Sequence, residues 1–568
     1  MFILNLKRYI KTTAIFFATI MYIVIIGFMC KNGFSSAEGA FATCLKLGQI
    51  SFLFFLFVSY EFFSKLRRDK MEEVVAGISF GKRKMDLSGL EMLALFDATV
   101  CLAFFLYTFF AALHNGIHNT NYTIFLGVSI IEHHFFVYLF AILLGFGFSK
   151  VKSDIKGYFL LVMTYILFGS RTIGTIHQLS YGKEFLYRFS DLLSIYIRDF
   201  SAISDFYYIY SIEAVNLQRI LFWIFMVLFV LMVTLYYGRK KWISVGAFSC
   251  ALLCAVLFFQ PTSAVNLDND ISGQDALTAD DVYYQLNDCM NTSQYKEANF
   301  KVTKYEAEFS MERQLEAQIA VYVDKTDLKK YYFTLYHGYQ VEQVMNQDGD
   351  ELEFQQEKDY ITVENTTDRK IDFIKFTYSG SCKRFYSTSQ GVFLPAYLAY
   401  YPMPGCRQVY IRQNGYWGNA IDGLGYETEF DVTVHTKTKL FSNLDVKEGK
   451  RLSGKSDGLT LLASDFAGEK IINGCRIIYP LLAIDSIRPD FCQEEFEAFV
   501  SDYSLEQKTI IIPPYINGTF YYFGADHFIG ELQTLKERYE VYRTSGELYD
   551  YISEEELTEY SEKNEIEE

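Results

Sequence analysis

One apolar segment near the middle of the chain divides the sequence into two halves of different character. Eighteen apolar or small residues run from Trp242 to Phe259 without a charged side chain, directly after three consecutive cations at 239–241. At about 1.5 Å per residue, a helix of this length nearly matches a hydrocarbon core of about 30 Å. Because basic residues mark the cytoplasmic end of a span, we expect this one to reach the outer face near Gln260.

The residues before this segment contain six more stretches of the same kind. Each is apolar over enough residues to cross a bilayer as a helix. With the central segment they predict seven spans, which are Thr13–Cys30, Leu47–Phe63, Leu90–Leu113, Tyr122–Phe148, Tyr158–Ile176, Leu217–Tyr237 and Trp242–Phe259. We therefore expect an α-helical, multi-pass domain in the cell membrane.

Lysine and arginine side chains determine the predicted orientation. They cluster before span one, in the loop after span two and in the loop after span four, whereas the loop His114–Asn121 has none. Since these cations accumulate in cytoplasmic loops, we predict a cytoplasmic N-terminus and an extracellular domain after span seven.

The formal net charge of −16 comes mostly from the second half of the chain. A nucleic-acid partner needs a basic face, so this charge excludes that function class and leaves the lipid bilayer and other proteins as partners. The five cysteines after residue 260 are widely spaced and odd in number, so no disulfide framework is predicted. Cys382 and Cys406 are a possible pair, but free thiols are the expectation.

Alternation of apolar and polar residues begins near Asn299. Leu315–Val323 and Tyr426–Val434 alternate with a period of two, and Asp348-Gly349 is a hairpin signal. This pattern predicts an antiparallel β-sandwich followed by a small α/β piece. The predicted domains are 1–240 for six spans, 241–262 for the seventh span, 263–298 for a linker, 299–470 for an extracellular β-sandwich, 471–545 for the α/β piece and 546–568 for an acidic tail.

The predicted cytoplasmic loop Ser64–Gly89 places a short acidic and apolar helix between two cationic patches. Such a surface suits the docking of a partner protein, and its cations equally suit anchoring to lipid headgroups. The apolar members recur three to four residues apart, so they share one helical face. The residues assigned to this surface are Arg67, Arg68, Met71, Glu72, Glu73, Val74 and Val75.

Four ionisable residues fall inside predicted spans: Asp97 in span three, and Glu132, His133 and His134 in span four. Such groups are functional candidates because it is costly to place them in a membrane. They could line a polar path, or they could form interhelical hydrogen bonds that fix the packing, and the sequence leaves both interpretations open.

The pair His114 and His118 has the i, i+4 spacing of two metal ligands on a helix. Asn115 and Gly116 lie between them and favour a loop, so we predict no metal site there.

The first 240 residues resemble the membrane subunits of ABC exporters. Six spans, a basic helical loop after span two (MEEVVAGISFGKRK, following Glu61 and Arg67-Arg68) and short outer helices between spans five and six carry this resemblance. It implies that the loop is a coupling element for a separate ATPase chain, and that two such subunits form a dimer. The alternative is a membrane-anchored extracellular binding or sensor protein without transport.

Residues 295–530 resemble the N-terminal part of the aminopeptidase N family. The segments that carry this resemblance, in family order, are Phe376–Gly380, Leu394-Pro395 with Tyr400–Pro402, and Tyr426–Val434 followed by Phe441–Asn443. The resemblance implies a β-sandwich and the opening of a catalytic domain. Peptide or amphiphile binding on an aromatic outer surface would then involve Tyr397, Tyr400 and Tyr401.

The chemistry of that family is missing from the sequence. A zinc aminopeptidase needs two histidines at i, i+4 with a glutamate between them, whereas His337, His435 and His527 lie far apart. We therefore expect no enzyme, no metal and no cofactor. The segment Gly449–Ser456 fits a phosphate-loop pattern, but it lacks the flanking strand and helix, so we interpret it as a hairpin turn.

Overall fold

A computed structural model describes most of the chain. The residues described are 2–34, 36–77, 80–169, 172, 176, 184–195, 205–209, 211–236, 241–262, 283–284, 287, 295–366, 369–382, 385–413, 416–419, 423–483, 488–514 and 521–545. The N-terminal part is helical and the C-terminal part is rich in strands. The predicted acidic tail and most of the predicted linker lie outside these residues.

The helical part begins with a short amphipathic helix and continues with long apolar helices. A five-residue π-helix, Ile131–Phe135, interrupts one of them. The helices are α1 (Phe2–Lys11), α2 (Thr13–Gly33), α3 (Ala37–Arg68), α4 (Met71–Ala76), α5 (Gly81–His114), α6 (Thr120–Ile130), α7 (Phe136–Ser149), α8 (Asp154–Leu167), α9 (Glu184–Leu193), α10 (Ala214–Tyr236) and α11 (Lys241–Phe258).

Five of the described helical segments are long and apolar enough to cross a membrane. They are Thr13–Lys31, Ala37–Arg68, Gly81–His114, Thr120–Ser149 and Ala214–Thr234. The structure thus confirms five of the predicted spans by length and composition. Predicted span five corresponds to the 14-residue helix α8, and span seven to a shorter apolar helix at Trp242–Phe258. Both remain predictions as spans.

Helix α3 lies at the centre of the helical part and contacts α2, α5, α7 and α8. It packs tightly on α7, where Ser59 donates a hydrogen bond of 2.7 Å to the carbonyl of Ile142. One turn further along α7, a Cβ atom placed on Gly145 would lie 2.5 Å from the carbonyl oxygen of Leu56. Small residues let helices approach closely where the surrounding solvent is as apolar as their side chains.

We predict that Gly145→Leu destabilises the helical part, because its side chain would overlap the backbone of α3. Overpacking of this kind costs about 1–3 kcal/mol or more. The measurement is thermal unfolding of the purified protein in detergent. Gly246→Leu is the control, since no atom lies within 4 Å of the Cβ position at Gly246 in α11. Equal melting temperatures for the two variants would contradict the close packing of α3 on α7.

The described residues of the C-terminal part form five sheets. Its strands are β1 (Val302–Met311), β2 (Leu315–Val323), β3 (Lys330–Thr334), β4 (Tyr339–Met345), β5 (Glu353–Glu357), β6 (Tyr360–Glu364), β7 (Phe373–Gly380), β8 (Val392–Leu394), β9 (Met403–Pro404), β10 (Tyr410–Gln413), β11 (Tyr416–Asn419), β12 (Thr428–His435), β13 (Leu440–Ser442), β14 (Asp445–Lys447), β15 (Arg451–Ser456), β16 (Leu461–Ala463), β17 (Ala467–Ile472), β18 (Cys475–Pro480), β19 (Thr509–Ile511), β20 (Tyr522–Phe523) and β21 (His527–Ile529).

The largest sheet has seven strands in the order β14-β15-β12-β1-β2-β7-β4. Its alternating residues point into one hydrophobic core, which it shares with the four-stranded sheet β5-β6-β3-β9 and the three-stranded sheet β13-β16-β8. The β-rich character predicted for this region is confirmed. The prediction of a purely antiparallel arrangement is wrong, because β1 pairs in parallel with β12, from Lys304 opposite Glu429 to Ser310 opposite His435.

Two other predictions for this region can be compared with the structure. The described cysteines are free, so Cys382 and Cys406 form no disulfide. The segment that fits a phosphate-loop pattern forms the turn after β14 and the strand β15 of an antiparallel hairpin, as predicted, with Gly449 at a φ of 71° in the turn.

A five-stranded sheet, β17-β18-β19-β21-β20, follows toward the C-terminus. Helices α12 (Gln493–Asp502) and α13 (Leu532–Ser545) accompany it, and β18, β19 and β21 run parallel. Buried aromatic and aliphatic side chains from both helices and from the strands form its core. This arrangement has the mixed helix and strand content predicted for the α/β piece.

The helical and C-terminal parts meet through a short segment, Asp205–Ile209, in the connection between α9 and α10. The amide of Phe206 donates to the carbonyl of Pro514, and the hydroxyl of Tyr207 donates to the carbonyl of Ile512. All five side chains of the segment are buried, and Phe206 enters the core of the five-stranded sheet. We call this end of the helical part the junction end and the opposite end the far end.

The carboxylate of Asp205 organises this segment. Its Oδ1 accepts hydrogen bonds from the amides of Tyr207 and Tyr208, at 2.9 and 2.7 Å, and from the hydroxyl of Tyr386 at 3.1 Å. Its Oδ2 is buried without a hydrogen-bond partner in the described structure. Burial outweighs these hydrogen bonds and raises the pKa of Asp205 to about 7.

We predict that the stability of the junction falls as the pH rises from 5 to 8. The folded pKa of Asp205 lies above the usual value of about 4, so folding favours the protonated carboxyl. This contribution is complete below the unfolded pKa and is lost as the pH passes about 7. Asp205→Asn keeps an acceptor oxygen without the charge, and it should flatten the pH dependence of the melting temperature.

Asp431→Asn is the control for this experiment. The hydrogen bond and charge of Arg451 hold the pKa of Asp431 below its usual value, so that carboxyl does not titrate between pH 5 and 8. A pH slope that persists in the Asp205 variant would contradict the assignment.

Candidate functional site

The four ionisable residues predicted inside spans are all in the helical part, near the middle of their helices. Glu132, His133 and His134 lie in the π-helix, where the wider turn interrupts the regular register between α6 and α7. Single turns of π-helix inside α-helices are frequent at functional sites. Asp97 lies halfway along α5 and is fully buried.

Three hydrogen-bonded pairs of side chains occupy the core between these helices. His134 Nδ1 lies 2.7 Å from the hydroxyl of Tyr138, and the hydroxyl of Tyr22 lies 2.7 Å from Oγ of Ser51. The thiol of Cys101 donates to Oδ1 of Asp97 at 3.3 Å. The pairs come from α2, α3, α5 and the α6–α7 unit, so the polar side chains of four spans meet in one core.

Several polar atoms in this core have no hydrogen-bond partner in the described structure. They include Oδ2 of Asp97, Oε2 of Glu132 and Nε2 of His134. A buried polar atom without a partner costs free energy, and such costs are tolerated most often at functional sites. The cluster has donors and acceptors that can bind a polar group or exchange a proton. The packing interpretation also has support, because His133 Nε2 contacts the carbonyl of Ser211 at 3.0 Å.

We predict that Asp97→Asn leaves the stability of the purified protein unchanged or raises it. Among the described residues, the hydrogen-bond partner of this carboxylate is a thiol, so a neutral amide of the same shape removes a desolvation cost. Asp86→Asn is the matched control on the same helix. It removes the carboxylate of a buried ion pair with Lys150, at 3.1 Å, and should cost about 3–5 kcal/mol.

Thermal unfolding of both variants in detergent decides between the two interpretations of the cluster. A large loss of stability in the Asp97 variant would make this carboxylate a packing element and would contradict a polar path.

At the far end, Arg67 and Arg68 are used within the chain. Arg67 donates to the carbonyl of Ser149 at 2.6 Å and also contacts the carbonyl of Val151 and the carboxylate of Asp154. Arg68 pairs with Glu61 of the same helix at 2.6 Å, so among the described residues only Arg67 of the two forms hydrogen bonds beyond α3. The end of α3 is therefore tied to α7 and α8. The assignment of Arg67 and Arg68 to a surface for a partner protein stays a prediction.

The short helix α4 lies between α3 and α5, at the centre of the predicted loop surface. Met71 is half-buried against the helical core, whereas Glu73 is exposed and the side chain of Val74 is 68% exposed. Phe80, at the start of α5, is 64% exposed and has a φ of 59°, an unfavourable value for a bulky residue. The side chains of Glu72 and Val75 lie outside the described residues.

The three tyrosines predicted to form an outer ligand surface are buried. Tyr397, Tyr400 and Tyr401 belong to the core shared by the sheets. The hydroxyl of Tyr400 donates to the carbonyl of Leu459 at 2.9 Å, and the ring of Tyr401 packs edge-on against Tyr305. Their aromatic composition was correctly recognised, but its role is packing, so the surface prediction is wrong.

One group of possible metal ligands occurs among the described residues: Asp457, Asp526 and His527. His527 is fully buried, with Nδ1 2.9 Å from Asp526 and Nε2 2.9 Å from the hydroxyl of Thr460. Asp457 accepts from the hydroxyl of Tyr522 and the amide of Ala525. His114 and His118 belong to no such group in the described structure.

The atoms of this group that could bind a metal already form hydrogen bonds within the protein. Burial raises the pKa of Asp526, but hydrogen bonds from His527, Asn443 and Ser456 outweigh it and hold that pKa below its usual value. Both ring nitrogens of His527 are already engaged, so a cation would have to break one of these bonds. The group does not fit a zinc centre. It joins the five-stranded sheet to the β13–β15 region.

The comparisons with known proteins give one kind of match. No family model matches the sequence, and no curated protein matches it. Among solved structures, a mutant M1 zinc metallopeptidase from Deinococcus radiodurans matches with 12% identity and a TM-score of 0.31, over 44% of this chain and 64% of that chain. The unmutated enzyme gives the same values, and a mutant bound to a Tyr-Ser-Ala substrate gives 13% and 0.30.

These matches correct one prediction. The statement that the chain is not an enzyme is wrong on this comparison, because the solved structures that it resembles are zinc metallopeptidases. The chain spans less than two thirds of the length of those proteins. At this identity and TM-score the likeness assigns no reaction to this chain.

Sequence reasoning missed two features of the structure. The segment Asp205–Ile209 reads as a loop in the sequence, yet it joins the two parts of the protein. Its run of three aromatic residues after an aspartate was the available signal. The ion pair of Asp86 with Lys150 had no signal, because the two residues are far apart in the chain and meet only through the packing of α5 on α7.

Proposed function

We propose that this chain is the membrane subunit of an ABC-type transporter that works as an exporter. A separate ATPase chain supplies the energy, and two membrane subunits form the functional dimer. The helical part spans the membrane with its far end in the cytoplasm, and the C-terminal part lies outside the cell. The polar core around His134 and Asp97 lies on the route of the transported molecule, which is a peptide or an amphiphile.

The far end around α4 carries this proposal. The helix contacts both α3 and α5, and it presents Val74 to solvent. The exposed ring of Phe80 follows it. Two residues that flank α4, Lys70 and Phe80, have φ values of 50° and 59°, so the chain turns sharply on both sides. Exposed apolar side chains on a small, strained element mark a protein contact more readily than a contact with lipid headgroups, which would use the cations.

The connections of α4 suit the transmission of movement. Arg67 fastens the end of α3 to the end of α7 and the start of α8, and Lys150, directly after α7, pairs with Asp86 of α5. A partner that moves α4 would therefore move several helices together. Because α3 and α7 also enclose the polar core, such a movement would reach Ser51 and His134.

We predict that Val74→Asp abolishes binding of the ATPase without preventing membrane insertion. A charge at the centre of an apolar contact loses its hydration without gaining a partner, which costs several kcal/mol. The tagged chain is purified from its own cells in mild detergent. ATP hydrolysis is then measured in the purified sample, together with the presence of a copurified chain that contains a phosphate-loop motif.

Ile155→Asp is the matched control, since Ile155 is also highly exposed at the far end but belongs to the start of α8 and not to α4. That variant should keep its ATPase. The coupling assignment is wrong if the Val74 variant retains ATP hydrolysis at the wild-type level. If the wild-type chain copurifies without any ATPase, the protein is a membrane-anchored binding or sensor protein instead.

A further inference from the structure

A cavity of about 430 Å³ lies where the helical part meets the C-terminal part. Its wall comes from the beginning of α3, the end of α5 with the following turn, and the two segments that precede and follow residues 484–487 after β18. Its volume falls in the range of small-molecule sites, about 300–1,000 Å³. The residues that matter for its chemistry are Glu38, His114, Ile117, Leu482, Arg488 and Phe491.

The charged groups that line the cavity have few partners within the described structure. Glu38 forms no ion pair and no side-chain hydrogen bond there, and the ring of His114 has only an aromatic contact with Phe34, with centroids 5.6 Å apart. Arg488 is 15% exposed, and it donates a long hydrogen bond of 3.5 Å to the carboxylate of Asp490. Its Nε atom is buried without a hydrogen-bond partner.

The guanidinium of Arg488 is nevertheless held in place. It lies over the ring of Phe491, 4.8 Å from the ring centroid, which leaves its edge available for hydrogen bonds. A planar guanidinium of this kind recognises carboxylate or phosphate groups. Glu38 has the opposite charge and lies on a different wall segment of the same cavity, so it suits an ammonium group.

The remaining wall adds an apolar requirement. Leu482 and Ile117 belong to one hydrophobic cluster at the junction, together with side chains from α3 and α6. A ligand in this cavity therefore meets a carboxylate, a guanidinium and an apolar surface at the same time. Partly buried charges with few partners gain most from a ligand that supplies both opposite charges.

We propose that this cavity binds a small amphiphilic zwitterion. The ligand has a primary ammonium group that pairs with Glu38, an anionic phosphate or carboxylate that pairs with Arg488, and an apolar portion against Leu482 and Ile117. A phosphoethanolamine lipid and a free dipeptide share this chemistry. The site lies at the junction end and does not depend on the assignment as a transporter.

The test measures binding to the purified full chain in a non-ionic detergent, without any ATPase. Four probes are titrated by microscale thermophoresis: lysophosphatidylethanolamine, the dipeptide leucyl-leucine, decanoate and decyltrimethylammonium. We expect at least one zwitterion to bind at least tenfold more tightly than either singly charged probe. The preferred zwitterion identifies the source of the ligand as the lipid or the soluble pool.

Two variants separate binding from folding. Glu38→Gln and Arg488→Gln should each weaken zwitterion binding at least tenfold. The Glu38 variant should also bind decanoate more tightly, and the Arg488 variant should bind decyltrimethylammonium more tightly. A misfolded site would show neither gain. Glu494→Gln and Arg369→Gln are charge-matched controls and should bind as the wild type does. Glu494 lies on the exposed face of α12, and Arg369 is an exposed residue in the turn that precedes β7.

The proposal is overturned if no zwitterion binds the wild-type chain more tightly than the singly charged probes. It is equally overturned if both cavity variants bind the zwitterion with wild-type affinity.

Discussion

The packing of α3 against its neighbours is the constraint on which the rest of this structure depends. In an apolar solvent, helices gain nothing from burying apolar side chains against one another, so close approach and a few polar contacts must hold them together. Gly145 lets α7 approach the backbone of α3, and Ser59 adds a hydrogen bond across the same contact. At the far end, Arg67 donates a hydrogen bond to a backbone carbonyl at the end of α7, which has no partner within the helix. The polar core, the position of α4 and the junction all follow from where α3 lies.

The junction gives the C-terminal part a defined position on this helical frame. Asp205 folds a short segment so that Phe206 and Tyr207 enter two different cores of the C-terminal part. A second contact lies at the end of α11, where Arg313 donates to the carbonyls of Leu257 and Pro261. Phe466 completes the contact from the other side by packing on Tyr122 and Phe125 of α6. Movement of the helices would therefore be transmitted to the sheets.

Buried charges in this protein follow two patterns with different consequences. Asp86 and Lys150 form a close ion pair, and the neighbouring ring of Phe146 lies 4.8 Å from the ammonium group, so these charges stabilise the contact of α5 with α7. Asp97, Glu132 and His134 each retain an atom without a partner in the described structure. The second pattern is unfavourable for folding alone, and it is the physical basis for assigning a function to the middle of the helical part.

The sequence by itself determined the division of the chain into an apolar helical half and a β-rich half. Continuous apolar stretches and period-two alternation are local properties, and they specify which elements form without reference to their partners. For the same reason the ionisable residues of the spans could be named as a buried polar group, and Val74 as part of an exposed helix.

Which elements and side chains lie next to one another was decided only by the tertiary structure. An aromatic run reads the same whether it faces solvent or a core, so Tyr400 was assigned to a surface although it packs among the sheets. The parallel pairing of β1 with β12 joins residues more than a hundred positions apart, and no local pattern specifies such a pairing. The zwitterion cavity is of the same kind, since Glu38, His114 and Arg488 come from three distant segments and acquire a common environment only when the helical and C-terminal parts meet.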